Sequence, residues 1–385
     1  MSPTPSSIVT TLPASGIRRM MAKAAAMEDV ARLDVGEPQF ATPAHIVETA
    51  SLAAAQGATK YAPSSGLLTT RDAIAASITA DTGTEVTRDN VIVTLGAVGA
   101  LISAVRAAVE PGDEVLVPDP GWPNYLSLTR VSGGVPVRYA LDAAHGFAPT
   151  RAQLEAAVTS RTKAVLINTP GNPTGAVFSR ATMEDVLAFA RDHDLYVISD
   201  EPYGKIVYEP PFTSAWGLGE DERVIVATSV SKTYAMTGWR LGWALAEPSV
   251  AALIGKLQEA YISCSPTLSQ KAVEAALTGD QSCIATFREA YSGNMDAAIE
   301  ELHKGGIACT RSAGSFYLWV DVGCEDSWAF ADGLLEERHV ALAPGEAFGE
   351  QGRGHVRISL ASPEDQVRRG ARELASFCRE QGLIA

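Results

Sequence analysis

Between Ser229 and Gly242 the sequence reads Ser-Val-Ser-Lys-Thr-Tyr-Ala-Met-Thr-Gly-Trp-Arg-Leu-Gly, and its chemistry centres on one amine, Lys232. Hydroxyls at Ser229 and Ser231 flank it, and a guanidinium, Arg240, follows eight residues later. Two short donors and a planar fork of donors suit a phosphate dianion. A lysine beside a bound phosphate, crowded by a second cation, has a reason to lose its proton and act as an amine nucleophile. An isolated Ser-x-Ser-Lys also fits a solvated basic loop, so the remaining stretches must decide.

Each reactive group needs an element to hold it. The β-branched run 224–227 reads as a buried strand that delivers the lysine loop. Residues 196–199 read as a second strand, ending on Asp200-Glu201-Pro202-Tyr203. An acid at the carboxyl end of a buried strand in an α/β sheet stands where ligands bind. A third strand, 164–168, runs into Thr169-Pro-Gly-Asn172-Pro-Thr-Gly175, a loop too rich in breakers to be anything but a rim. A fourth, 91–94, leads through Leu95-Gly96-Ala97-Val98-Gly99 into a helix at 100–109. Free backbone N–H groups at such a helix start suit a phosphate; the small residues equally allow tight packing. Residues 115–117 lead into Asp119-Pro-Gly-Trp122-Pro-Asn-Tyr125, where the indole is fixed to lie over a flat ligand ring or to join the core. Strand ends at Gly96, Asn172, Asp200 and Ser229 thus carry small or polar groups, which argues for one shared site.

Residues 1–16 read as a mobile arm. Residues 17–27 read as a helix and 31–35 as a strand stopping at Gly36-Glu37-Pro38, where backbone can approach a ligand or simply turn. Helices follow at 45–56 and 67–79, with Tyr61 in an extended loop between them. Past Pro248 the pattern turns helical, at 250–261, 268–277 and 284–305. Then come a strand at 316–320, a helix at 328–337, a strand at 355–360 carrying Arg357 among apolar neighbours, and a helix at 364–380. The change near residue 280 predicts a large domain at 45–280 and a small one at 281–385, with 1–44 forming an arm and part of the small domain.

Composition narrows the partners. A chain of 385 residues exceeds a single core of roughly 250–300, so two domains are expected. Apolar residues make up 46% and charged residues 20%, as in ordinary globular proteins. Lys plus Arg total 31 against 45 Asp plus Glu, a net charge of -14 that repels nucleic acid and anionic membrane. The longest uncharged apolar stretch, 91–105, is too short to span a bilayer, and no cationic start precedes an apolar core. A cytoplasmic location is expected. The five cysteines have neither C-x-x-C spacing nor nearby histidines, which predicts free buried thiols and no metal site.

Six motifs now stand in one order: Leu33-Asp-Val-Gly-Glu37, Tyr61, Asn172-Pro-Thr-Gly175, Asp200-Glu-Pro-Tyr203, Ser229-x-Ser-Lys232 and His355-Val-Arg-Ile358. With them the chain resembles, over nearly its whole length, a fold type I pyridoxal-phosphate enzyme of the class I/II aminotransferase family, closest to the bacterial aspartate-aminotransferase-like branch. The resemblance implies an α/β fold, with a large domain built on a mostly parallel seven-stranded sheet between helices and a smaller α+β domain. It implies pyridoxal 5′-phosphate as cofactor, and ping-pong transfer of an amino group from an α-amino acid to a 2-oxo acid. Lys232 then forms the Schiff base and shuttles the proton, while Asp200 pairs with the pyridine nitrogen so that the ring acts as an electron sink. Tyr203 and Asn172 donate to the phenolic oxygen. Backbone N–H groups of Ala97 and Val98, with Ser229, Ser231 and Arg240, hold the phosphate, and Trp122 stacks on the ring and borders the substrate. Arg357 grips the substrate α-carboxylate, assisted by Gly36 and Asn172. Tyr61 matches a tyrosine that reaches the neighbouring subunit's phosphate, which implies a homodimer with composite sites.

One departure matters. Aspartate-using members of that branch can carry a lysine in the phosphate-loop stretch for the substrate's distal carboxylate, where this sequence has Val98-Gly99. Strict aspartate specificity is therefore not expected, and neutral or aromatic amino acids become candidate donors. 2-Oxoglutarate enters if Arg18 or Arg19 points inward. β-Elimination or decarboxylation on the same scaffold is the alternative, separable by pyruvate and ammonia release without an acceptor. A non-catalytic regulator is disfavoured, because every catalytic position is filled and no basic DNA-reading domain precedes residue 31.

Overall fold

The computed structural model describes residues 3–13, 15–209, 212–219 and 221–384. The chain begins with α1 (Ser7–Thr10), α2 (Gly16–Ala25), the two-residue β1 (Ala31–Arg32), α3 (Ala44–Ala55) and α4 (Leu68–Thr82). Strands and helices then alternate: β2 (Val91–Thr94), α5 (Gly96–Ala108), β3 (Glu114–Asp119), α6 (Asn124–Val131), β4 (Val135–Ala140), α7 (Arg151–Glu155), β5 (Thr162–Asn168), α8 (Arg180–Asp192) and β6 (Tyr196–Asp200). β7 (Val224–Ser229), β8 (Gly242–Leu245), α9 (Pro248–Ile262) and α10 (Thr267–Thr278) follow. The remainder is α11 (Ser282–Lys304), β9 (Tyr317–Asp321), α12 (Ser327–Arg338), β10 (Val340–Ala341), β11 (Ala343–Pro344), β12 (His355–Ser359) and α13 (Glu364–Glu380).

Seven strands form one sheet in the order β2-β8-β7-β6-β5-β3-β4. Only β8 runs against its neighbours, and the pairs from β7 through β4 are parallel. Both faces are covered, which is why these strands read as unbroken apolar runs rather than as alternation. Along β5, Val165 and Ile167 meet Met183 and Phe189 of α8. Ala164 and Leu166 point the other way, toward Leu101 and Val105 of α5 and Ile254 of α9. The parallel register sets Asn168 level with Asp200 and Asp200 level with Ala227. Polar strand tips are therefore brought to one edge.

A second apolar cluster joins Met20 of α2, Leu33, Met295 of α11, Leu318 of β9, Val356 of β12 and Leu374 of α13. Here β12 lies between β11 and β9 in an antiparallel sheet, and β1 pairs with β10. α13 repeats apolar residues with helical spacing, and Val367, Ala371, Leu374 and Cys378 are buried on one stripe.

Several elements differ from the expected ones. α5 starts at Gly96 rather than at residue 100, because Gly96 takes a φ of 68° and turns β2 directly into the helix. The strand expected over 31–35 stops at Arg32. Beyond it Asp34 turns back to pair with Arg32 at 2.8 Å and gives its carbonyl to Arg357 at 2.7 Å. Within the expected arm, Ser7–Thr10 forms a single helical turn with no buried residue. β4, β8 and α6 are additions to the expected set. The five cysteines are free thiols, but only Cys324 and Cys378 are buried, while Cys264, Cys283 and Cys309 are half-buried, against the expectation that all would be buried. Among the described residues no helix is long and apolar enough to cross a membrane.

Candidate active site

The carboxyl-end edge of the sheet, β12 and α2 together enclose a cavity of about 380 Å³. Its walls include Gly36, Ala97, Val98, Trp122, Asn172, Asp200, Tyr203, Ser229, Ser231, Lys232, Arg240 and Arg357, so every residue expected at the site is brought there except Tyr61. Tyr61 is 91% exposed on the surface of the chain.

Lys232 follows β7 and points its amine at the Gly36 carbonyl, 2.6 Å away. Burial pulls the amine down to about 8, with Arg357 and Arg240 adding to the fall and Glu37 opposing it. Glu37 is itself held by the Thr237 hydroxyl. Gly36 must lack a side chain, since a Cβ there would lie 2.1 Å from the Tyr317 hydroxyl.

Asp200 closes β6 and is only 4% exposed. The Tyr125 hydroxyl donates to its Oδ2 at 2.6 Å, while Oδ1 is buried and has no partner among the described residues. A half-satisfied carboxylate in a dry wall calls for a donor from the cavity. Burial pushes Asp200 up to about 7, against the pull of the Tyr125 hydroxyl and with a smaller push from Glu201. Tyr125→Phe removes that donor. The Asp200 titration is then expected to move up by roughly one to two pH units, from about 1.5–3 kcal/mol for a hydrogen bond to a charged group. Infrared difference spectra of protein carrying isotope-labelled aspartate read this shift apart from Glu201; an unmoved titration would mean that the hydroxyl does not hold the charge.

Arg357 sits mid-strand on β12, opposite Trp319 and Ala343, and is 2% exposed. Its Nη1 donates to Asn172 Oδ1 at 3.0 Å and its Nη2 to the Asp34 carbonyl at 2.7 Å, leaving Nε without a partner. The guanidinium lies over the Tyr317 ring at 4.3 Å. Among the described residues no carboxylate pairs with this buried cation, which is unusual, and the cavity it borders is where an anion would compensate it. Asn172 is positioned in turn by Asn168, whose Oδ1 accepts from the Asn172 N–H at 2.7 Å. Tyr203 and Tyr317 share a hydrogen bond at 2.9 Å.

On the opposite wall, α5 aims its free N-terminal N–H groups into the same space, with Ala97 and Val98 in its first turn. Arg240 stands beside it: a Cβ on Gly96 would lie 3.1 Å from Arg240 Nη2. Arg240 adopts a φ of 53°, and its Nη1 donates to the Thr237 carbonyl at 2.8 Å. Gly242 permits β8 to pass the helix start, where a Cβ would lie 2.8 Å from the Ala97 nitrogen. Helix N-terminus, two serines and a guanidinium thus form an anion cradle, with the Lys232 amine in the same cavity.

Three wall residues with polar groups escaped the sequence reading, Tyr125, Asn168 and Tyr317, and of the two arginines it left open Arg18 is the one that lines the cavity. Tyr125 was legible only as part of the turn after Trp122, three positions on, where it is the second residue of α6. Tyr317 resembled any aromatic in a buried strand.

The model for the aminotransferase class I and II family matches residues 28–374. An aspartate/prephenate aminotransferase of Thermus thermophilus is 36% identical over 352 residues, covering 90% of this chain and 90% of its own. An aspartate aminotransferase of Thermotoga maritima is 35% identical over 375 residues, covering 96% and 98%. Among solved structures, an aromatic aminotransferase from Pyrococcus horikoshii superposes with a TM-score of 0.89 at 34% identity, covering 95% of this chain and 100% of that one.

Proposed function

The chain belongs to the aminotransferase class I and II family, and from that premise we propose that this cavity holds pyridoxal 5′-phosphate and moves amino groups among α-amino acids and 2-oxo acids without strict preference for aspartate. One observation carries the reading: the Lys232 amine, the unpartnered Asp200 Oδ1 and the unpartnered Arg357 Nε all border a single cavity. The donor set fits the cofactor. The α5 N-terminus, Ser229, Ser231 and Arg240 match a phosphate, Asp200 Oδ1 a protonated ring nitrogen, Tyr203 and Asn172 a phenolic oxygen, and Trp122 a ring face. When bound, the group supplies an electron sink for the bond to the substrate Cα.

This chain's own residues do the rest. Arg357 binds and orients the α-carboxylate, and its burial fixes that carboxylate's direction. Lys232, with a pKa brought to about 8, takes and returns the Cα proton near neutral pH. The apolar side chains around the cavity exclude water. Range in substrates is supported by the names of the relatives, which include aspartate/prephenate and aromatic aminotransferases, and by Val98 standing where a cation would select a diacid. We place the domain boundaries near residues 44 and 280, since one apolar cluster runs from Ile46 to Ala276 while another joins Met20 and Leu33 to residues beyond 280, with Tyr203 and Ile206 reaching into it.

Arg357→Lys keeps the charge but loses the planar fork. It is expected to raise KM for every amino donor roughly ten- to hundredfold, in line with about 1.5–3 kcal/mol for a charged hydrogen bond. Steady-state kinetics with a panel of amino acids against 2-oxoglutarate and pyruvate tests both points. Transfer from none of them, or an unaltered KM, would overturn the assignment. Tyr61, nearly bare on this chain, is supported as a contributor to a second copy's site; mixing Tyr61→Ala with Lys232→Ala protomers and measuring restored activity would test it.

A further inference from the structure

The charged residues lining the cavity are Arg18, Glu37, Asp200, Lys232, Arg240 and Arg357. The proposed function uses the last four, and Glu37 is engaged by Thr237. Arg18 is left. Its backbone N–H is taken by the Ser15 cap at 3.3 Å, and among the described residues its side chain has neither an ion-pair nor a hydrogen-bond partner.

Its direction is fixed by its neighbours on α2. Successive residues on a helix turn by about 100°, so Ile17, Arg18 and Met21 fall within one arc of about that width, and all three line the cavity. Met20 and Ala24 occupy the next arc and are buried in the second apolar cluster. Arg19 and Lys23 occupy the third: Arg19 lies over the Trp328 ring at 4.4 Å and pairs with Asp332 at 3.0 Å, and Lys23 pairs with the same carboxylate at 2.7 Å. Helix α2 cannot roll without giving up those anchors. Of the two adjacent arginines, Arg18 therefore faces inward.

The two guanidiniums free to meet a substrate differ in kind. Arg357 is buried, stacked on Tyr317 and held by two hydrogen bonds, which suits the carboxylate that every substrate carries. Arg18 is exposed on a long side chain that retains its rotamer freedom, which suits a group only some substrates carry. The same cavity carries apolar lining from Ile17, Met21, Val98, Leu101 and Trp122. A diacid in this cavity has a second cation to meet on α2, and an uncharged side chain has the apolar lining while Arg18 stays in water.

We propose that Arg18 is the residue that selects acidic substrates, by pairing with the distal carboxylate of a five-carbon amino or 2-oxo diacid. This rests on the reading that Arg357 holds the α-carboxylate. An ion pair at an exposed site of this kind changes affinity by about tenfold or less, and approaches tenfold when the fork is bidentate.

The test compares cofactor-loaded wild type with Arg18→Met and Arg18→Lys. Calorimetric titration uses two unreactive probes of equal length, glutarate with two carboxylates and pentanoate with one. Wild type is expected to favour glutarate, and Arg18→Met to lower the glutarate-to-pentanoate affinity ratio about tenfold, with Arg18→Lys between. The ratio of kcat/KM for glutamate to that for phenylalanine should fall in parallel. A wild type without preference for glutarate, or an Arg18→Met variant that keeps it, overturns the proposal even if amino transfer proceeds normally. Amino transfer absent with every donor would instead sink the functional reading, while the glutarate titration still decides on Arg18.

Discussion

Lys232→Ala is expected to end amino transfer, with a loss on the order of 10⁴-fold or more, the upper range for a single positioned acid–base group. Among the described residues no other lysine lines the cavity, so no second amine stands ready to replace this one. The site has been built to make this nitrogen reactive. Burial brings its pKa to about 8, and the cations Arg357 and Arg240 push the same way. Lys232→Arg separates chemistry from electrostatics: it keeps a positive charge but offers no free amine near neutral pH, and it should fail as completely as Lys232→Ala. Both variants should also lack the visible absorption expected of the wild type if Lys232 carries the proposed cofactor. Turnover within tenfold of wild type in either variant would dismiss the assigned role.

Asp200→Asn is expected to act in opposite directions on turnover and on the stability of cofactor-free protein. Turnover should fall by about 10²–10³, the loss typical of removing one preorganised electrostatic partner, because an amide cannot hold a ring nitrogen protonated. Stability should rise. Asp200 is raised from 3.8 to about 7 by burial, so between those values the folded chain binds its proton more tightly than the unfolded chain does. Stability is therefore lost as pH climbs through that interval, by up to about 4 kcal/mol at 1.36 kcal/mol per unit, and the loss is complete above about 7. Glu201, raised from 4.5 to about 7 by burial, adds a loss of the same sign.

Lys232 behaves inversely. Its pKa falls from 10.5 to about 8, so the unfolded chain binds the proton more tightly between those values and stability returns as pH rises through them. Cofactor-free wild type should thus melt lowest near pH 7–8, and Asp200→Asn should melt higher there. Calorimetric scans from pH 5 to 10 check both. A wild-type melting temperature that peaks near pH 7.5, or a variant that melts below wild type, would mean that Asp200 is not held at a cost.

The parts of this molecule that could be read beforehand share a physical trait. Parallel strands covered on both faces leave long apolar runs, so β2, β5, β6 and β7 and the polar groups at their tips were visible, as was the stripe of α13. What escaped depends on partners distant in sequence. β8 is four residues, Gly-Trp-Ala-Leu, all buried, and such a run carries no period; its identity comes from filling the gap between β2 and β7. β4 has one buried residue, Tyr139, in six and looks like loop, yet it completes the sheet by pairing with β3. Whether Arg18 or Arg19 turned inward was undecidable from the sequence, because the choice is made by Asp332 and Trp328 some three hundred residues away. Tyr125 gained its meaning only when Asp200 arrived 2.6 Å from it.

The distance along the chain between Lys232 and Arg357 has a consequence for how the protein is made. The wide sheet, with the amine, the acid of β6 and the anion cradle, closes once β8 has emerged, whereas the strand bearing Arg357 follows on the order of ten seconds later at ordinary rates of ribosomal synthesis. A growing polypeptide therefore gathers the parts proposed to receive a vitamin-derived aldehyde before it owns the strand proposed to grip a metabolite.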